Sequence, residues 1–299
     1  MKCRAVSCAD RKAFERGLRA APRRLSAYSF AQFVIWQGLY RVEWLRIDNA
    51  ICAFFRDSLG SFMNCEPLGD RITSGIVEDA FAAMDRCNRN RAYSRIENVE
   101  ENRIGFYRAL GYEAVPKGGE YVYERVRLAR LAGDAYKSKR AACNYFSRTY
   151  SAAYERYTPS RRKQCLDLYD RWADERAATS RDRIYTGMLK DSRSCIQIAL
   201  RRPGALGLEG RVVTVQGRVC AFTFGYKLSS DTFCILYEIA DLSFKGISQY
   251  IFRQFCQEMS QYRYINTMDD SGLARLQAVK RSYRPAMIVP SYIIQRPHA

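Results

Sequence analysis

Histidine is almost absent from this sequence: the single one, His298, sits next to the C-terminus. Ser-His-Asp and Cys-His catalytic units both need an imidazole, so neither is expected. Regular cysteine spacing is also missing, because the 11 cysteines form no CxxC pair. Zinc sites are normally built from clustered cysteine and histidine, and no metal site is expected. Long apolar runs are lacking. The longest, AYSFAQFVIW (Ala27–Trp36), falls far short of a bilayer-spanning helix. The start, MKCRAVSCADRKAFERGLRAAPRRL, has no apolar core of a secretory signal. Scattered thiols without such a signal point to a reducing cytoplasm. No basic tail is present to hold the formal charge of +18. Residues 1–150 carry 26 Lys/Arg against 17 Asp/Glu and residues 151–299 carry 23 against 14, so each half holds +9. The excess is spread over folded surface, and such a field attracts nucleic acid or an anionic membrane.

What is present is the composition of a soluble globular protein, 47% hydrophobic and 27% charged, with length for two ordinary domains. YRVEWLRIDNAICAFFRD (Tyr40–Asp57) alternates as paired strands do, and PLGD (Pro67–Asp70) is a turn. Ile72, Ile76, Ala80, Ala83 and Cys87 then recur at helical spacing. AYSRIENV reads as a strand and IGFYRAL as a short helix stopped by Gly111. EYVYERV (Glu120–Val126) reads as another strand, and Asp134 is a candidate N-cap for a helix at the midpoint. The second half repeats the order. Helices are expected from about Ser160 and Ile184, followed by a hairpin over Arg211–Leu228 turning near Gln216-Gly217. DTFCILYEIAD is a strand, and Ile247, Ile251, Phe255 and Met259 make a helical stripe. YINTMDD, LARLQAVKRSY and AMIVPSYIIQ supply a strand end, a helix and a closing strand. Ile96 aligns with Ile265 and Tyr112 with Tyr283, so the economical reading is two copies of one α/β domain.

A strand and a short helix running into Tyr-x-x-x-Gly-Tyr (Tyr107 to Tyr112) resemble the closing section of the GNAT acyltransferase fold. Three blocks carry a further resemblance: EYVYERVRLARLAGDAYKSKRAACNYFSRTY (Glu120–Tyr150), YEIADLSFKG (Tyr237–Gly246) and YINTMDDSGLARLQAVKRSYRP (Tyr264–Pro285). They are similar to the phosphatidylglycerol lysyltransferase C-terminal domain family, especially its stand-alone soluble bacterial members, over roughly residues 25–295. The resemblance implies two tandem GNAT-like domains joined by a basic helix, over 1–132 and 133–299. It implies an aminoacyl-tRNA donor, no cofactor, and an acceptor left open among lipid, peptide and small amine. Better-known members carry a membrane-spanning flippase that is not seen here, which weighs against a lipid acceptor. Peripheral contact with an anionic membrane stays open, as do two rivals: an acyl-CoA N-acyltransferase, and a non-catalytic RNA- or membrane-surface-binding protein.

On the midpoint helix, Tyr136, Arg140 and Asn144 share a stripe beside an apolar seam of Cys143, Phe146 and Tyr150, with Lys139 above it. A helix with such a seam packs onto a domain. Arg140 and Asn144 at its edge could grip a phosphate or carboxylate, or Arg140 could serve a structural carboxylate. Lys245-Gly246 is a weak phosphate-turn signal with too few glycines for acyl-CoA. Aminoacyl transfer needs positioning, a polarised carbonyl and help with the acceptor's proton. The candidate bases are Glu238 and, at a strand end, Asp269 or Asp270, the alternative for the latter two being a turn and helix cap. Tyr237 and Tyr283 are candidates to orient substrate. Lys280 shares a helix face with Leu273, Leu276 and Tyr283, so it is expected to be partly buried and to reach toward Glu238 or an anion, or else to snorkel.

Overall fold

The computed structural model describes residues 3–20, 23–179 and 182–297, and His298 lies outside them. The chain divides into two compact units. The first comprises Met1–Glu120, Asp269–Gly272 and Ile288–Ala299, the second Tyr121–Met268 and Leu273–Met287.

The first unit runs β1 (Arg4–Ala5), α1 (Arg11–Arg19), α2 (Phe30–Ile35), β2 (Arg41–Ile47), β3 (Ala50–Arg56) and β4 (Ser61–Phe62). Then come α3 (Ser74–Asp85), β5 (Arg95–Glu100), α4 (Ile104–Ala109) and the start of β6 (Glu113–Glu124). β1 to β4 form an antiparallel sheet in sequence order. A parallel bridge from Met63 to Ile96 leads on to β5, which pairs antiparallel with the C-terminal strand β12 (Met287–Gln295). α3 forms where the sequence predicts it. Thr73 caps it by accepting from the Ile76 N–H, and Ile76, Val77, Ala80, Phe81 and Met84 are its buried face. That face packs on Leu45, Ile47, Cys52 and Phe54 of the sheet and on Tyr107 and Ile294.

The second unit holds α5 (Arg125–Arg130), α6 (Lys137–Thr149), β7 (Ala152–Arg156), α7 (Arg162–Thr179), α8 (Arg183–Arg201) and α9 (Pro203–Leu206). It continues with β8 (Leu208–Val215), β9 (Arg218–Lys227), β10 (Thr232–Ala240), α10 (Ile247–Glu258), β11 (Tyr264–Asn266) and α11 (Ala274–Ser282). Its strands run β7-β8-β9-β10-β11, β11 lying parallel to β10, and the end of β6 pairs antiparallel with β11. Each unit therefore takes its closing strand from the other half of the sequence. The β8–β9 hairpin turns at Gln216-Gly217 as expected, both residues being left-handed (φ 50° and 75°).

Two local expectations are corrected. The strand at Glu120–Val126 begins at Glu113 and ends at Glu124, because the helix-forming run RVRLAR takes over as α5. Asp134 does not cap the midpoint helix: it opens a 3-10 turn over Asp134–Tyr136, behind Gly133 at φ 83°. No helix among the described residues is long and apolar enough to cross a membrane.

Candidate active site

Strict alternation along β10 would put Phe233, Ile235, Tyr237 and Ile239 on one face. One inserted residue changes this. Ile235 pairs with Gly225, whereas Tyr237 pairs with Phe224, leaving Leu236 bulged out of the ladder. A bulge re-aims the side chains that follow it. Before it, Phe233 and Ile235 pack with Phe252 and Phe255 of α10. After it, Ala240 packs with Ile247 and Ile251 of the same helix. Glu238, two residues from Ala240, is thereby turned toward α10.

Glu238 is half-buried, and its Oε2 is sealed from solvent with no hydrogen-bond partner among the described residues. Burial pushes its carboxyl up to about 8, against the opposing pull of the Lys280 charge. It also neighbours Cys256 of α10 and Tyr283, raising both thiol and phenol above their usual ranges after burial has done most of the work. Lys280 is half-buried as expected. Its ammonium donates to the carbonyls of Thr267 and Met268, the latter at 3.2 Å, and stands 5.7 Å from the Tyr121 ring centroid. Lys280 thus holds the end of β11, where Met268 is left-handed (φ 63°), and favours the ionised form of Glu238. Tyr283 packs edge-on against Phe252, centroids 5.0 Å apart, and its carbonyl accepts from the Tyr136 hydroxyl at 2.9 Å. The Lys139 ammonium lies 4.6 Å from the Tyr283 ring centroid, and burial lowers its pKa. Glu238, Lys280, Tyr283 and Lys139 are therefore brought together.

Sequence reasoning missed a second carboxylate. Glu66, in the first unit, is fully buried and fully engaged. Arg23 Nη1 and Arg103 Nε donate to it at 2.7 and 2.9 Å, and the hydroxyls of Tyr28 and Tyr107 at 3.1 and 3.0 Å. Its place in the fold matches that of Glu238. Glu66 lies three residues beyond Met63, which bridges to the parallel strand β5. Glu238 lies four beyond Cys234, the last residue of β10 paired with parallel β11, and the additional residue is the bulged Leu236. Each acid is approached from the short helical segment after that parallel strand: by Arg103 and Tyr107 at α4, and by Lys280 and Tyr283 at α11.

Residues 18–295 match the phosphatidylglycerol lysyltransferase C-terminal family. The chain belongs to that family. Similar solved structures include a conserved protein of unknown function from Bacteroides thetaiotaomicron, 26% identical, covering 99% of this chain and 100% of that one at a TM-score of 0.86. L-PGS from Bacillus licheniformis is 17% identical over 96% of this chain and 92% of its own, with a TM-score of 0.64. A tandem GNAT protein from the clavulanic acid biosynthesis pathway is 10% identical over 100% and 99%, with a TM-score of 0.52. The last two likenesses concern the fold, which is α/β with two tandem GNAT-like units. No curated protein matches the sequence.

The remaining candidate residues in this phosphatidylglycerol lysyltransferase-family chain stand elsewhere. Tyr237 lies on the opposite face of β10 from Glu238, near Tyr169 of α7 and Cys195 of α8. The Arg140 guanidinium donates to the carbonyls of Leu131 and Gly133, the latter at 3.1 Å, closing the end of α5. Asn144 is exposed on α6. Lys245 is exposed, its ammonium 5.0 Å from the Tyr145 ring centroid. Gly246, the N-cap of α10, is left-handed at φ 90°, and a Cβ there would run into the Ala142 carbonyl oxygen of α6. The glycine thus serves the approach of α6 to α10. Asp270 accepts from the Gly272 N–H at 3.0 Å and Asp269 from the Ser271 N–H at 3.2 Å, the turn geometry weighed against catalysis. Among the described residues no group of acids, cysteines and histidines is arranged to hold a metal.

Proposed function

We propose that this chain is an aminoacyltransferase that takes an aminoacyl group from aminoacyl-tRNA and passes it to a lipid, peptide or small-amine acceptor. The second half of the sequence carries the chemistry and the first is structural or tRNA-contacting. The observation that carries the reading is Glu238. A bulge aims it, burial raises its carboxyl to about 8, and no group among the described residues satisfies its sealed oxygen. An unpaired polar atom in that position costs stability, so it calls for a task. A carboxyl poised near neutral pH suits a general base that removes the acceptor's proton. Lys280 keeps the β11 end and the Glu238 charge in place, and Tyr283 with Lys139 forms the wall beside them. Family membership supports transferase chemistry, and the +18 charge suits a tRNA donor. The acyl-CoA rival is disfavoured because the start of α10, where a pyrophosphate would need open backbone donors, is closely approached by α6.

The test is incubation of the purified protein with tRNA charged with labelled amino acids and with labelled acetyl-CoA, each alongside extracted lipids and peptides. Label should leave the tRNA, and Glu238→Gln should slow this about 100-fold or more. Label taken only from acetyl-CoA would overturn the proposal.

A further inference from the structure

The matched carboxylates Glu66 and Glu238 meet opposite fates. Glu66 is neutralised by two guanidinium groups and satisfied further by two phenols, all from its own chain. In the second unit α11 brings Lys280, but that ammonium is engaged by the carbonyls of Thr267 and Met268, and Glu238 Oε2 is left without a donor among the described residues. The groups around Glu238 are the Cys256 thiol, the Tyr283 phenol and the Lys280 ammonium. Among the described residues, what the first unit supplies internally the second lacks: a cationic donor in contact with the acid.

We infer that the acceptor enters as an ammonium, and that it fills at Glu238 the place Arg23 and Arg103 fill at Glu66. The acceptor is then an amine and the product an amide, where a hydroxyl acceptor would give an ester. An ammonium draws Glu238 into its ionised form and makes a charge-assisted hydrogen bond, about twice as strong as the neutral one that a hydroxyl would make. This rests on the transferase reading of the same site, and its chemistry balances. The ionised Glu238 takes one proton from the ammonium, and the freed amine nitrogen attacks the ester carbonyl of the aminoacyl-tRNA. As the bond from the carbonyl carbon to the ribose oxygen breaks, Glu238 returns its proton to that oxygen. The second nitrogen proton leaves to solvent.

A calorimetric arm tests the ammonium site without requiring transfer. Ethanolamine is titrated into the protein at pH 7 in two buffers of different ionisation enthalpy, with ethylene glycol as the uncharged control. Glu238 is largely protonated there, so ammonium binding should expel close to one proton, and Glu238→Gln should bind without expelling any. Ethanolamine binding without proton release, or no preference over the glycol, overturns the inference. A transfer arm uses labelled aminoacyl-tRNA with vesicles of phosphatidylethanolamine, vesicles of phosphatidylglycerol, or a lysine-containing peptide. Alkali-stable label on the ethanolamine lipid or on the peptide supports the inference and tells which source supplies the amine. Alkali-labile label on phosphatidylglycerol alone overturns it. Proton release in the first arm with no transfer in the second upholds the ammonium site and removes the transferase reading instead.

Discussion

At the residue scale, two carboxyls in matching places show how partners decide a group's state. Glu238 is held near 8 against an ordinary 4.5. Between those values the folded chain binds the proton and the unfolded chain does not, so the contribution of Glu238 to stability falls as pH rises from about 4.5 to about 8 and is level above. Glu238→Gln should therefore be more stable than the parent at pH 8.5, on the order of 2–4 kcal/mol, and near-equal at pH 4. Urea melts at the two pH values check it, and equal differences at both would contradict it. Glu66, by contrast, is held by two guanidinium groups and two phenols. Arg103→Met removes one cation from a sealed carboxylate and should cost about 3 kcal/mol in the same melts. Glu238 and Lys280 were legible because an acid and a lysine on otherwise apolar faces stand out. Glu66 was not, since its partners Arg23 and Arg103 lie 43 and 37 residues away in the chain. Arg140 reads in sequence as a free fork, but its acceptors are backbone carbonyls that no sequence pattern displays.

At the scale of elements, the helices were the legible part. α3 and α10 form where apolar spacing placed them, because one stripe must face a sheet, and α11 forms where expected with no fully buried residue of its own. The bulge at Leu236 was not legible. Nothing in FCILYEIA announces an extra residue, and unbroken alternation would have put Tyr237 where Glu238 stands. Deleting Leu236 should remove the bulge yet leave Glu238 on the face of Ile235, because the residue lost is the extra one. Inserting one alanine between Tyr237 and Glu238 should instead turn Glu238 toward Tyr169 and Cys195. The insertion should abolish transfer and cost several degrees of thermal stability, and an insertion variant of full activity would show that the facing of this strand does not aim the acid. Gly246 is the second hidden device. Gly246→Ala must adopt a left-handed backbone against the α6 carbonyl and should cost about 1–3 kcal/mol, read as a lowered denaturation midpoint.

For the whole molecule, the repeat of elements was legible, whereas the exchange of closing strands was not. β6 pairs with β11, and β12 with β5, across some 140 to 200 residues of sequence, and pairing at that range leaves no local pattern. The evenly divided charge was readable directly. If tRNA is the donor, each neutralised phosphate releases counterions, so affinity should fall roughly tenfold or more between about 50 and about 200 mM salt. Filter binding across that series checks it, and an affinity flat with salt would remove the electrostatic part of the account. The central claim is that Glu238 is the carboxyl that does the chemistry, and the pH profile of aminoacyl-tRNA consumption tests it most directly. For the parent chain, kcat/KM should climb about tenfold per pH unit from pH 6 and level off near pH 8, while Glu238→Gln should be slow and without that rise. A parent profile that is flat from pH 6 to 9, or the same rise in Glu238→Gln, would contradict it.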